Sequence, residues 1–285
     1  MRAYVPGYEV VAPEGLSEVL QLLADQPGIY RPLAGGTDVM VLYNAGKLKH
    51  TRYVSIAGLK ELTGIEVGPD SIRIGALATY TEVRHHSVLR EEFPMLSQAA
   101  AESGAVAIQN RGTIGGNIAN ASPAADTPPA LLAYDAELEI VSSAGSRRLA
   151  YRVFHTGYKQ MQLEPHELIA AVHLQRKPGR GHYYRKVGTR KAQAISKVCL
   201  AASHIIGNGQ ATNVGIAMGS VAPIVCVCSH TMALLEGKPV GAGLENEIRE
   251  AVLRDISPID DIRSTRDYRL TVAANLAVDY WKSLS

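Results

Sequence analysis

Two bends built on paired glycines constrain this 285-residue chain more than any other feature: Ala34-Gly35-Gly36-Thr37-Asp38 and Gly112-Thr113-Ile114-Gly115-Gly116-Asn117. A glycine pair lets backbone N–H groups approach an anion with no Cβ in the way. The neighbouring threonine adds a hydroxyl, and a helix starting there adds the positive end of its dipole. One such bend is more often a plain turn than a site. Two of them, each with a polar residue just past the glycines, predict a diphosphate held from both sides, with ordinary turns as the plainer reading.

The pattern around the bends points to a mixed α+β fold. Ser17 is placed to cap a helix whose Leu16, Val19, Leu20 and Leu23 share one face. Pro27-Gly28 breaks it, Ile29 to Leu33 reads as a strand, and the first bend opens a short helix through Val39, Val41 and Leu42. With Tyr53 to Ile56 as the next strand, this is a small β-α-β-α-β unit. Ile65-Glu66-Val67 and Ile72-Arg73-Ile74 flank Gly68-Pro69-Asp70 as a hairpin, and helices are predicted over 81–91 and 95–103. The Gly/Ala/Asn/Pro-rich stretch from Gly112 to Pro129 is too long for a mere connection. Lys177-Pro178-Gly179-Arg180-Gly181 reads as a linker, followed by two apolar strands about Gly207 and helices near 232–235, 244–254 and 268–284.

Charge excludes several partner classes. Lys+Arg 29 against Asp+Glu 27 leaves a net charge of +2, too little for a nucleic-acid or membrane-surface footprint. The start, Met1-Arg2-Ala3-Tyr4-Val5-Pro6, lacks the apolar run of a secretory signal. No charged residue occurs between Lys197 and Glu236, but Gly207-Asn208-Gly209-Gln210 divides that stretch below the ~20 apolar residues a membrane span needs. Cys199, Cys226 and Cys228 are odd in number and read as buried thiols, so the expected compartment is the cytoplasm.

Familiar chemical signatures fail one after another. Gly207-Asn208-Gly209-Gln210-Ala211-Thr212 lacks the third glycine of a dinucleotide fingerprint, and Gly46-Lys47 and Gly237-Lys238 lack the Ser or Thr of a P-loop. His166-Glu167-Leu168-Ile169-Ala170 has no second histidine for zinc, and no Gly-x-Ser-x-Gly elbow is present. His85-His86 has no third ligand at metal spacing. The expectation is no catalytic side-chain constellation and no metal site. Tyr268 and Arg269 read as packing and ion-pair residues, and Asp126 reads as a cap for the Pro128-Pro129 helix start.

The chain resembles the FAD-binding medium subunit of the molybdenum hydroxylases, the xanthine dehydrogenase and carbon monoxide dehydrogenase group. Leu33-Ala34-Gly35-Gly36-Thr37-Asp38 resembles the family's first flavin loop, and Asn110 through Ala119 its second, with Ser122-Pro123-Ala124-Ala125-Asp126 following. Ile74 to Thr79, Tyr184-Arg185-Lys186, Gly219 to Pro223 and Asp260 to Arg269 carry the likeness nearly end to end. Departures are Ala107-Ile108-Gln109-Asn110-Arg111, where relatives show Gln-Ile-Arg-Asn, Ser103 where some carry an aromatic ring, and Ala194 where many are acidic.

The resemblance implies a two-lobed FAD-binding domain of the vanillyl-alcohol-oxidase type over 1–173, with lobes 1–56 and 57–173. An α+β lobe with a three-stranded antiparallel sheet is implied over 174–285. It assigns FAD contacts to Arg31, Pro32, Leu33, Ala34, Gly35, Gly36, Thr37, Asp38, Thr113, Ile114, Gly115, Gly116, Asn117, Asp126, Ile169 and Lys186. A molybdopterin large subunit and a [2Fe-2S] small subunit are the implied partners, with NAD+ or another acceptor taking the electrons. Some relatives hold an extra iron–sulfur cluster on four cysteines, which three cysteines cannot supply. The reading from a different class is a non-redox module that binds a nucleotide diphosphate or serves assembly without flavin.

Overall fold

The computed structural model describes residues 7–190 and 193–285, so the reading of Met1 to Pro6 lies outside the described residues. The β-α-β-α-β unit forms as expected: β1 (Glu9–Val11), α1 (Leu16–Asp25), β2 (Arg31–Leu33), α2 (Thr37–Asn44) and β3 (Arg52–Ser55). The three strands pair in parallel in the order β1-β3-β2. α1 buries Val19, Leu20 and Leu23 against Val54, Ile56, Leu59 and Leu62. Each such side chain removed from water contributes about 1.5–3 kcal/mol. The cap expected at Ser17 is corrected to Gly15, which offers no side chain. The Glu61 carboxylate, 45 residues on, accepts the Leu16 N–H at 3.2 Å instead, a long-range partner that local pattern does not reveal.

The second lobe is an antiparallel sheet with helices on it. Its elements are β4 (Ile65–Val67), β5 (Ser71–Gly75), α3 (Tyr80–His85), α4 (Ser87–Glu92), α5 (Pro94–Glu102), α6 (Val106–Gln109), α7 (Ile114–Ala119) and α8 (Thr127–Ala133). β6 (Glu137–Ser142), β7 (Gly145–Ala150), the small pair β8 (His155–Gly157) and β9 (Gln160–Met161), and β10 (Leu168–Gln175) follow. The sheet order is β4-β5-β10-β6-β7, so β10 returns to the middle between the two hairpins. The single helix expected over 81–91 is two, broken at an extended His86. Val83 and Leu89 are both fully buried. Six residues of continuous helix would set them about 120° apart, and the break brings both to the core. The Gly112–Pro129 stretch is likewise not a long loop, because α7 and the start of α8 occupy it.

The last third forms β11 (Arg180–Val187), β12 (Val198–Gly207), β13 (Gln210–Gly219), β14 (Cys226–Val227), α9 (Ser229–Leu235), α10 (Glu245–Asp255) and α11 (Arg266–Lys282). The expected three-stranded sheet gains a fourth, two-residue strand. After Pro223 the chain returns to pair Cys226 with Met218 and Val227 with Ala217, then turns into α9. Cys228 lies past the strand at the N-terminal boundary of α9 and is buried, as is Cys199, whereas Cys226, expected to be buried, is only partly so. α10 and α11 cover the sheet with Ile248, Val252, Leu276, Tyr280 and Trp281. Arg269, 3% exposed, donates to the carbonyls of Lys197 (2.9 Å) and Ser220 (2.7 Å) and to Asp261 Oδ1 (2.7 Å). Its role is structural, as the sequence suggested. Among the described residues no helix is long and apolar enough to cross a membrane.

The lobes do not have separate cores. Tyr184, Cys199 and Ala201 pack into the same apolar cluster as Ile74, Ile114 and Leu131. Ser203 Oγ donates to the Ala133 carbonyl at 2.7 Å, fastening β12 to α8.

The two glycine bends meet within this frame. A methyl group at Gly35 would overlap the backbone carbonyl of Arg111, so the first bend lies against the residues that lead into the second. Gly115 also packs closely, on Ala76, where a Cβ would come within 2.6 Å of the alanine methyl. The expected consequence is that Gly35→Ala destabilises the chain by about 3 kcal/mol or more, because backbone cannot yield as a side chain can. Gly58→Ala, with nothing within 4 Å of the added methyl, leaves it unchanged. Urea unfolding of the two variants checks this, and equal stability contradicts the close approach.

Candidate functional site

The first bend leaves β2 at Leu33, whose carbonyl is held by the Ile56 N–H at 3.0 Å, and turns at Gly36 with φ +76°. That left-handed conformation is the one glycine adopts without strain. α2 begins at the next residue, and its first internal bond is Met40 N–H to Gly36 O at 2.9 Å. Among the described residues, the N–H groups of Gly35, Gly36, Thr37, Asp38 and Val39 have no acceptor. Consecutive free donors at a helix N-terminus form an anion cradle.

The second bend differs from the expectation of matching donors. Ile114 N–H donates to Ala78 O (3.0 Å), Gly115 to Ala76 O (2.8 Å), Gly116 to Thr113 Oγ1 (3.1 Å) and Asn117 to Thr113 O (2.9 Å). These donors are all engaged inside the chain, so backbone capture of an anion falls to the first bend. The Asn117 carboxamide oxygen is likewise taken, accepting from Thr127 Oγ1 at 2.6 Å. Glycine at 115 serves close packing on Ala76, which sets α7 tightly behind the first bend.

Asp126 stands at the start of α8 yet makes no cap hydrogen bond. Its Oδ2 accepts from Lys186 Nζ at 2.7 Å across 60 residues, with the two side chains 12% and 6% exposed. Lys186 also donates to the Glu102 carbonyl at 2.9 Å. β11 positions it, pairing Lys186 with Cys199, while the neighbouring Tyr184 hydroxyl donates to the Asp126 carbonyl at 3.2 Å. Asp126 Oδ1 is buried and has no partner. Ser103, close by, donates to Ala99 O at 2.8 Å instead. Burial pushes the Asp126 carboxyl up to about 6, against the lowering pull of the Lys186 ammonium, with Glu102 adding to the rise. An acceptor buried without a donor calls for a group from outside the chain.

The remaining sequence candidates surround this centre unevenly. Arg31 and Pro32 are exposed on β2, with Arg31 paired in register to Tyr53, and Leu33 and Ala34 lead into the bend. Ile169 lies 6% exposed at the irregularity of β10, whose Ala170 carbonyl accepts the Ala76 N–H at 2.8 Å. Tyr80 and Lys159 were not anticipated. Burial raises the Tyr80 hydroxyl pKa, and the charges of Asp38 and Asp126 raise it further. Lys159, at φ +58° in the β8–β9 turn, donates to the Asn120 carbonyl and to Asn120 Oδ1 at 2.8 Å, and its ammonium feels Asp38. No short motif marks either residue. A separate open concavity of about 530 Å³ between α3 and α5, lined by Arg84, His85 and Arg90, contains none of these groups.

These groups can therefore do two things chemically: the free N–H groups of the first bend can hold a polyanion, and the buried Asp126 oxygen can accept from a hydroxyl or N–H. Residues 6–175 match the family described as FAD binding domain in molybdopterin dehydrogenase, and residues 182–284 the CO dehydrogenase flavoprotein C-terminal domain. The xanthine dehydrogenase FAD-binding subunit of Escherichia coli O157:H7 is 34% identical over 90% of this chain and 88% of its own length. The fold is shared with a carbon monoxide dehydrogenase chain from Hydrogenophaga pseudoflava, at TM-score 0.91, 24% identity and 95% coverage of both chains. It is also shared with a chain of quinoline 2-oxidoreductase from Pseudomonas putida 86, at TM-score 0.87, 26% identity and 99% coverage of both.

The buried carboxyl predicts a pH signature in the ligand-free chain. The folded state holds the Asp126 proton up to about pH 6, whereas an unfolded chain releases it near pH 4. The folded state thus binds more protons between these values, and this group's contribution to stability is lost as pH rises through them. Asp126→Asn should gain stability relative to the parent from pH 4 to pH 7, by up to ~3 kcal/mol. Urea unfolding across that range measures the difference, and a pH-independent offset contradicts the raised value.

Proposed function

Because this chain belongs to the FAD-binding subunits of the molybdenum hydroxylase family, we propose that it is the flavin-carrying subunit of a molybdenum-dependent dehydrogenase. In this reading it accepts electrons from a [2Fe-2S] partner subunit and passes them to NAD+ or another acceptor. The molybdopterin subunit carries out the substrate chemistry, and residues 1–173 and 174–285 serve as the flavin-binding and C-terminal domains. FAD, when bound, supplies a centre that takes electrons singly and gives them up in pairs. The complex works in the cytoplasm, where the free thiols of Cys199, Cys226 and Cys228 suit a reducing compartment.

The observation that carries the reading is the unpartnered buried Oδ1 of Asp126. A flavin nucleotide brings hydroxyl and N–H donors to answer it and a diphosphate for the donors from Gly35 to Val39. Arg31, Pro32, Leu33 and Ala34 line the approach to the bend. Thr113, Ile114, Gly115, Gly116 and Asn117 form the wall behind it, and Ile169 supplies apolar cover. Lys186 fixes the Asp126 carboxylate and keeps positive charge in a largely dry setting, which stabilises negative charge developing nearby. Tyr184 and Glu102 hold the two members of that pair from the backbone side. None of these residues needs to act as nucleophile, acid or base. The chain's work is to bind, orient and electrostatically tune the cofactor.

The purified chain, supplied with FAD, should show flavin absorption at one FAD per chain. Asp126→Ala should weaken FAD binding about 10–100-fold, the value of a charge-assisted hydrogen bond. Fluorescence titration gives both numbers. A chain that refuses FAD but binds another nucleotide diphosphate tightly is instead a non-redox nucleotide module.

A further inference from the structure

The basic concavity of about 530 Å³ beside α3, α4 and α5 has no part in the flavin reading. Arg84, His85 and Arg90 line one side of it, and α5 lines the other from Pro94 to Ala101. The break at His86 that turns Val83 and Leu89 to one core also turns Arg84 and Arg90, one residue further along, to one concavity. Arg84 is held in place. Its Nη1 donates to Gln109 Oε1 at 2.8 Å, and Gln109, itself buried, donates from Nε2 to the Ala101 carbonyl at 2.8 Å. The rest of a planar guanidinium fork is left for an outside acceptor. Arg90 is exposed, and among the described residues its guanidinium has no partner. His85 Nδ1 donates to the Thr81 carbonyl at 2.9 Å, so Nε2 is the ring nitrogen left to meet a ligand.

The carboxylates of the same helices are turned elsewhere. Glu82 accepts from the Thr79 N–H and Oγ1 at 2.7 and 2.8 Å, and Glu102 accepts from Gln98 at 3.0 Å. Glu92 pairs with Arg176 at 2.6 Å, and the charge of Glu91 bears on the same arginine. We propose that this concavity binds a small phosphate ester. Two guanidinium groups without a countercharge call for an oxyanion, and the anchored fork of Arg84 matches the bidentate geometry of phosphate. The volume lies within the roughly 300–1,000 Å³ of small-molecule sites, more than a phosphate group fills, so the ligand carries an organic part against α5. A protein partner is a poorer match. None of the large apolar side chains that stand exposed elsewhere lines the concavity, so the apolar centre of a protein interface is missing.

Calorimetric titration of the full chain tests this with inorganic phosphate, ribose 5-phosphate and ribose as probes. Both phosphates should bind with millimolar or tighter dissociation constants, and ribose should not bind. Arg84→Gln and Arg90→Gln should each weaken ribose 5-phosphate at least tenfold while urea unfolding stays parental. Arg84→Lys, which keeps the charge and loses the fork, should fall between the parent and Arg84→Gln. Phosphate binding that survives both glutamine variants resides at the anion cradle and overturns the proposal. So does a parent chain that takes up neither phosphate at about 10 mM. Loss of co-purifying partner subunits in the arginine variants, with no phosphate bound by the parent, makes the concavity a protein interface instead. FAD uptake is measured apart from these titrations, so a chain that refuses flavin leaves their outcome readable.

Discussion

The close approach of Gly35 to the Arg111 carbonyl is the contact on which the site depends. It joins the parallel α/β lobe to the antiparallel lobe along a line of contact that continues into the shared apolar cluster, where Leu77, Leu168 and Ala170 of the second meet Val19, Leu23 and Val54 of the first. That line is where the free donors of α2 emerge. The engaged donors of the second bend then make sense, because Gly115 and Ile114 bond back to Ala76 and Ala78 and so clamp α7 against the sheet. One bend keeps its donors free and the other spends them bracing the fold.

The buried pair works against the stability of the ligand-free chain. Asp126 gives up a cap bond to α8, sits where burial opposes its charge, and leaves one oxygen unanswered. Lys186 offsets part of that disadvantage without removing it. Local rules broken without a compensating gain inside the chain mark a functional position. The cradle has the same character, because five adjacent N–H groups without acceptors add nothing to the ligand-free fold.

Much of this was legible in the residues. Glycine pairs, the Pro27-Gly28 break and the alternation around Gly68 fixed the elements that carry the bends, since each acts through local conformation. Long-range partners were not legible. Gly15 rather than Ser17 starts α1 because Glu61 reaches it, and the helix breaks at His86 because Val83 and Leu89 answer to the same core. The hydrogen-bond state of the second bend depends on Ala76 and Ala78 across the fold, which no spacing encodes. Lys159 owes its place to a short hairpin turn, so a lone lysine in the sequence gave no sign of it.

Asp126 comes from one lobe and Lys186 from the other, and the serine on β12 ties the two through Ala133. Cutting the chain near residue 175 would therefore strip the antiparallel lobe of the countercharge to its own carboxylate and uncover apolar surface along α8. The C-terminal third is not an appendage to a self-sufficient nucleotide binder. Half of the electrostatic clasp is carried there, so neither segment alone keeps the pair intact.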